Sequence, residues 1–468
     1  MKGQHDMDVI TELYEKVYSF EQNRELLQFK LEYHNVPMWP LIRISVIQKA
    51  IDKRNGINVN QRTMVKRNKL VELTIRNPFL SLFKDVLYLG FEDRGTSLHE
   101  DGLVYDERIM PYMQLNGKSC MLISHANLDV KYAYKNWKSD YVIHQLALKQ
   151  MSTSKKDART AKGLLKYIEN ELSIDIGKEL FQELLNIIMG YSKYLAGYVK
   201  ACKQYFKIIR PKLVVISCSS YMGLLQVAGN LACRDLHIPT AEIQHALEVR
   251  NSKAHHWGEA IIKSRSCQKI FPDYFLMFGE YWSDAVALPS KKVVIGTHRK
   301  YRVNTEKRNN NVLICLSMSD EKYIELVEWI LKNTGKSTKV CLRLHPLENT
   351  EKDRAIFAKF KASDRFEFAN EKKLEYYFQK CTYVISTGGT VIYEALTCGN
   401  IVFVPRDELY DYTNVNSIED KIYSFQTLEE LEKIWRKRNE LPMIPYDDFF
   451  NMNYKELYGK FIEEMAGK

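Results

Sequence analysis

The 468-residue chain has no CxxC pair and no Cys/His ligand spacing, and its nine cysteines are scattered and odd in number. Neither a disulfide framework nor a structural zinc site is expected, and the thiols read as reduced, as in a cytoplasm. No apolar run approaches the roughly 20 residues that span a bilayer, and the opening MKGQHDMDVI lacks the apolar centre of a secretion signal. The expectation is a cytoplasmic protein, soluble or peripheral on the inner face of the membrane. GxxxxGK[ST], GxGxxG and HExxH are missing too, so nucleotide hydrolysis, NAD chemistry and zinc proteolysis lose their ordinary signatures. Nor is there a helix-turn-helix, RRM or KH pattern, and nucleic acid is not an expected partner despite a formal net charge of +10.

What is present is an ordinary globular composition, 45% hydrophobic and 27% charged, in a chain too long for one core. Residues 1–84 read as a helical extension. Its segment from Arg62 to Lys84 interleaves Arg62, Lys66, Arg67, Lys69 and Arg76 with Leu70, Leu73, Ile75, Phe79, Leu80 and Phe83, which suits either packing on the next domain or an anionic membrane surface. From residue 85 to 296, short apolar strands at Val86–Phe91, Cys120–Ser124, Leu213–Ser217, Ala241–Gln244 and Tyr274–Phe278 alternate with helical stretches. After a polar, basic run the alternation restarts over 297–440, with strands at Val312–Leu316, Val340–Leu344, Phe366–Phe368, Tyr383–Ile385 and Ile401–Val404. Residues 441–468 end in a helix expected to pack back on the first domain. The fold class expected is α/β: two Rossmann-like, doubly wound domains facing a cleft, with a helical N-terminal extension.

The most informative stretch is CTYVISTGGTVIYEALTCGNIVFVP, residues 381–405. A strand runs into Ser386, Thr387, Gly388 and Gly389, a helix follows from Thr390, and a second buried strand closes a βαβ unit. The turn and the helix start suit an anion such as a phosphate. Glu394, one helical turn beyond Thr390, could accept hydrogen bonds from a ribose diol. Two other strand ends carry polar groups. Arg343 and His345 alternate in VCLRLHPLEN, where they could neutralise a departing phosphate, and Gln244-His245 ends a strand in AEIQHALEVRN, with Glu242 on the face of Gln244. His245 could take a proton from an acceptor hydroxyl near neutral pH. Glu92 and Asp93 in LGFEDRG are an alternative source of the base.

The segments IQHALEV, PDYFLMFGEYWSD, KVVIGTHR, LRLHPLE and STGGTVIYEALTCGNIVFV, in this order, resemble bacterial glycosyltransferases of the GT-B fold. The resemblance is to enzymes of capsule, O-antigen (lipopolysaccharide) and teichoic-acid assembly, including the CDP-glycerol glycerophosphotransferase type, and it covers roughly residues 85–404. It implies a nucleotide-sugar donor, an oligosaccharide or polyprenyl-linked acceptor, and no separate cofactor. It makes His245 the base, sets His345 on the donor phosphates, and gives phosphate and ribose to the Ser386–Glu394 stretch. Ala246 after the first His and Gly388-Gly389 in place of Ser-Ser depart from the glycerophosphotransferase pattern and favour sugar transfer over a glycerophosphate-type polymerase. UDP-N-acetylglucosamine 2-epimerases share the HP and Ser-Gly-Gly features, so epimerisation is the rival activity. The only Asp-x-Asp triplet, Asp6-Met7-Asp8, lies outside any expected strand, and no metal is implied.

Overall fold

The computed structural model describes residues 2–55, 69–81, 84–91, 96–98, 102–124, 131–134, 137–172, 176–303, 309–318, 320–345, 349–407, 410 and 415–467. In chain order the strands are β1 (Val86–Phe91), β2 (Thr96–Leu98), β3 (Val104–Asp106), β4 (Ser119–Ser124), β5 (Trp137–Ser139), β6 (Leu213–Ile216), β7 (Thr240–Ile243), β8 (Tyr274–Met277) and β9 (Lys291–Val294). After these come β10 (Val312–Leu316), β11 (Val340–Leu344), β12 (Phe366–Phe368), β13 (Tyr383–Ser386), β14 (Ile401–Pro405) and β15 (Tyr423–Phe425).

Seven strands form a first sheet in the order β5-β4-β1-β6-β7-β8-β9, and six form a second in the order β12-β11-β10-β13-β14-β15, with β2 and β3 a separate hairpin. Every pairing within the two large sheets is parallel. Each sheet starts at an inner strand, winds outward one way, then returns and winds the other. These are two Rossmann-like, doubly wound domains. The order reverses between β1 and β6 in the first sheet and between β10 and β13 in the second, and ligands of such sheets bind at the carboxyl ends beside that reversal.

The strands are short apolar runs because both faces are covered. In the second sheet, Val312, Ile314, Leu342 and Ile385 pack with Phe357, Phe360 and Trp435. Their neighbours Leu313, Cys315, Cys341 and Val384 belong to a cluster that continues into the first domain. All nine cysteines are buried and unpaired in disulfides.

The N-terminal helices, Lys2–Phe20 and Met38–Asn55, add Leu13, Val17, Trp39, Ile42 and Val46 to the core of the first domain. They are pinned by an ion pair with no solvent exposure. Arg43 Nε lies 2.6 Å from Glu21 Oε1, and Glu21 also accepts from Trp39 Nε1 (2.7 Å) and the Gly258 N–H (2.8 Å). The Arg43 guanidinium donates to the carbonyls of Lys253 (2.6 Å) and His256 (2.7 Å) and stacks 4.2 Å from the Trp257 ring. Helix and loop are thus joined by groups whose desolvation is compensated on every side.

At the other end, the helix Tyr454–Ala466 returns to the first sheet, where the hydroxyls of Tyr458 and Tyr88 meet at 2.5 Å. Tight backbone contacts lead to it: a Cβ on Gly279 would lie 2.5 Å from the Phe449 carbonyl oxygen. Of the Arg62–Lys84 segment, residues 62–68 and 82–83 lie outside the described residues. Within 69–81, Leu70, Leu73, Ile75 and Leu80 are exposed. Among the described residues no helix is long and apolar enough to cross a membrane.

Candidate functional site

At the carboxyl end of the second sheet, the register aligns Arg343 on β11 and Ser386 on β13 with Cys315 on β10, so the three lie in one row. Arg343 is half-buried, and its Nη1 donates to the carbonyls of Ala369 (2.5 Å) and Lys372 (2.9 Å), fixing the loop after β12. His345 stands one residue past the end of β11 and is exposed.

Immediately across the strand-order reversal, β13 enters the glycine turn. Thr387 is held from both ends: its N–H donates to the Cys315 carbonyl (3.1 Å), and its Oγ1 accepts from the Ser317 N–H (2.8 Å). Ser386 Oγ donates to the Gly388 carbonyl (3.1 Å). Gly388 and Gly389 have φ of +144° and +82°, conformations that L side chains avoid. A Cβ built on Gly389 meets no atom within 4 Å, so the turn opens onto empty space. Thr390 then leads into the helix Val391–Thr397.

Glu394 on that helix is buried rather than surface-exposed. Its carboxylate accepts from the Arg299 guanidinium, which also donates to the Tyr301 hydroxyl (3.2 Å). The carboxylate raises the Arg299 pKa well above its ordinary value, against the effect of burial. The ribose-binding role expected of Glu394 therefore has to coexist with a guanidinium already in place.

The first sheet presents a second group of polar side chains beside its own reversal. After β6 the chain makes a single 3-10 turn, Ser219–Tyr221, bracketed by Cys218 and Met222 at φ +48° and +58°. After β7, Gln244 is buried: its Oε1 accepts from the Phe278 N–H (2.8 Å) and its Nε2 donates to the Ala246 carbonyl (3.1 Å), which directs the next residue outward. That residue, His245, is half-buried, with Nε2 at 3.7 Å from Cys218 Sγ and its ring centroid 5.8 Å from that of Tyr221 and 5.9 Å from that of His255.

Behind His245 lies an ionic cluster of which the sequence reading named only Glu242. His255 is 2% exposed, with Nε2 at 3.3 Å from Glu242 and Nδ1 at 2.9 Å from Glu248, both carboxylates fully buried. Glu242 also accepts from the N–H (2.9 Å) and Oγ (2.6 Å) of Ser220. Burial disfavours a charged His255, but Glu248 and Glu242 more than offset it and hold its pKa at about 10. Burial raises the Glu248 pKa, which the adjacent His255 partly counters. The cluster ties the turn after β6 to the loop after β7, and the Glu21–Arg43 pair anchors that loop from the far side.

Consecutive residues contact both domains. His298 Nε2 lies 3.8 Å from Glu107 on the first domain, whereas Arg299 reaches Glu394 on the second. Beside Glu107, Arg108 makes two 2.8 Å hydrogen bonds to Asp106 and a 3.7 Å contact with Cys218 Sγ, so this corner abuts His245. Glu92 and Asp93 lie outside the described residues. The sequence reading named His245, Arg343, His345 and the glycine turn. It did not find His255, Glu248, Arg299, Glu107 or His298, although the quoted KVVIGTHR contains both His298 and Arg299 and the quoted AEIQHALEVRN contains Glu248.

No protein-family profile matches the chain, and no curated protein matches its sequence. Solved structures are similar over most of the chain. UDP-GlcNAc 2-epimerase from Neisseria meningitidis, bound to UDP-GlcNAc, is 13% identical with a TM-score of 0.48, over 82% of this chain and 100% of that one. MurG from Acinetobacter baumannii is 12% identical with a TM-score of 0.41, over 82% of this chain and 95% of that one. The glycosyltransferase SnogD from Streptomyces nogalater is 12% identical with a TM-score of 0.40, over 83% and 96%. At these identities and TM-scores the likeness leaves the reaction open.

Proposed function

We propose that this chain is a metal-independent glycosyltransferase that moves a sugar from a nucleotide-activated donor to a lipid-linked or growing bacterial surface polysaccharide. The observation that carries the reading is that consecutive residues link the two domains, His298 to Glu107 on the first and Arg299 to Glu394, on the helix after the open glycine turn, on the second. In this reading the donor diphosphate sits against the Gly388–Gly389 turn, with Arg343 and His345 toward the leaving phosphate. His245 accepts the proton of the acceptor hydroxyl as that oxygen bonds to the anomeric carbon. The bond from that carbon to the phosphate oxygen breaks, and the nucleoside diphosphate leaves with both electrons.

Incubation of the full chain with a panel of nucleotide sugars and polyprenyl-linked acceptors tests it. Transfer that survives EDTA is expected, and His345→Ala should lower kcat by about 10²-fold with the fold intact. Isomerised sugar without transfer would replace the reading with an epimerase. Loss of activity on chelation, restored by Mn²⁺, would remove the metal-independent mechanism.

A further inference from the structure

β12 is the edge strand of the second sheet, and a cavity of about 360 Å³ wraps its open side. The cavity is bounded by four cations, Arg354, Lys361, Lys372 and Lys380, and by the rings of Phe368 and Tyr376 among other residues. The cations are arranged in pairs on the rings. Arg354 and Lys361 each lie 5.5 Å from the Phe368 centroid, and Lys372 and Lys380 lie 4.7 and 5.8 Å from that of Tyr376. Two carboxylates share the lining. Glu367 is taken up by Lys380 at 2.9 Å, which leaves three cations to one carboxylate, Glu371, in the lining. Tyr376 is 44% exposed. The loop between the rings is the one Arg343 holds, through the carbonyls of Ala369 and Lys372, so the cavity adjoins the carboxyl end of the sheet.

An aromatic face flanked by cations offers two complementary contacts: the apolar C–H face of a sugar ring against the ring, and charge-assisted hydrogen bonds to its acidic substituents. We propose that this cavity binds a glycan bearing carboxylate or phosphate groups. With only two more cations than carboxylates it lacks the basic track that a nucleic acid backbone requires. If the chain is a glycosyltransferase, the occupant is a part of its acceptor remote from the hydroxyl that reacts at His245. Binding is read without turnover, so failure here leaves the donor reading standing.

The test is calorimetric titration of the full chain with a galacturonate oligomer, a glycerol-phosphate oligomer and a neutral malto-oligomer. At least one acidic oligomer should bind, more weakly at high salt, and the neutral one should not; which of the two binds identifies carboxylate or phosphate. The exposed-site variants Lys361→Glu/Lys372→Glu and Tyr376→Ala should weaken that binding by about tenfold or more, with unchanged circular dichroism and Tm. The proposal is overturned if neither acidic oligomer binds, if the neutral one binds equally, or if both variants bind as the wild type does. Tighter binding of a single-stranded RNA would also overturn it.

Discussion

The guanidinium of Arg299, in the segment leaving the first sheet, holds the buried carboxylate of Glu394 on the helix that follows the glycine turn. Truncating the cation strands a buried charge. Arg299→Met should therefore lower the urea-unfolding free energy by about 3 kcal/mol, near the lower end for a buried pair because the guanidinium is partly solvated. Adding Glu394→Gln should restore part of that loss, and an unchanged urea midpoint in the single variant would show that the pair contributes nothing.

The His255 cluster makes stability pH-dependent. The folded pKa of about 10 lies above the unfolded value near 6.5, so the contribution is complete below about pH 6.5 and is lost as pH rises through about 10. His255→Asn should lower Tm clearly at pH 6 and by much less at pH 10.5. Equal losses at both pH values would mean that the imidazole is neutral in the folded protein.

Arg43→Met should cost about 3–5 kcal/mol, because Glu21 is left charged with no exposure to water. The effect should spread to the loop that Arg43 holds. Amide exchange at 252–258 should accelerate alongside that of the N-terminal helices, whereas protection confined to wild-type rates in the loop would separate the two.

A last expectation concerns membranes. Leu70, Ile75 and Leu80 are each more than 60% exposed in a segment rich in Lys and Arg. Each basic residue near an anionic surface contributes about 1 kcal/mol. Vesicles containing anionic lipid should retain the protein in a salt-sensitive way and lose it on Leu70→Glu/Ile75→Glu. Equal retention by neutral vesicles would count against electrostatic docking.

The strands legible in the sequence, such as β1, β10 and β14, are buried runs bounded by turn residues. Those that escaped, β5 at Trp137–Ser139, β15 at Tyr423–Phe425 and the β2–β3 hairpin, are three residues long and mix polar with apolar residues, whereas the equally short β12 is bracketed by Phe366 and Phe368. The same contrast holds for the site. Gly388 and Gly389 announced themselves because a backbone at positive φ selects glycine locally. His255 and Glu248 could not, because what makes them a cluster is the convergence of loops. Arg299 and Glu394 are 95 residues apart. The helix Val391–Thr397 showed an apolar side in sequence, but its residues from Ile392 onward are all buried, which is why Glu394 needed a cation that no local pattern supplies.

The sealed cysteines make the native molecule quiet toward thiol reagents. Burial also pushes Cys120 up to about 11 and Cys202 and Cys315 up to about 12, so the reactive thiolate is scarce at neutral pH. One cysteine introduced on the surface of each domain would thus take up a dye selectively, without first stripping the natural nine. The distance between the domains could then be followed by energy transfer as a nucleotide is added.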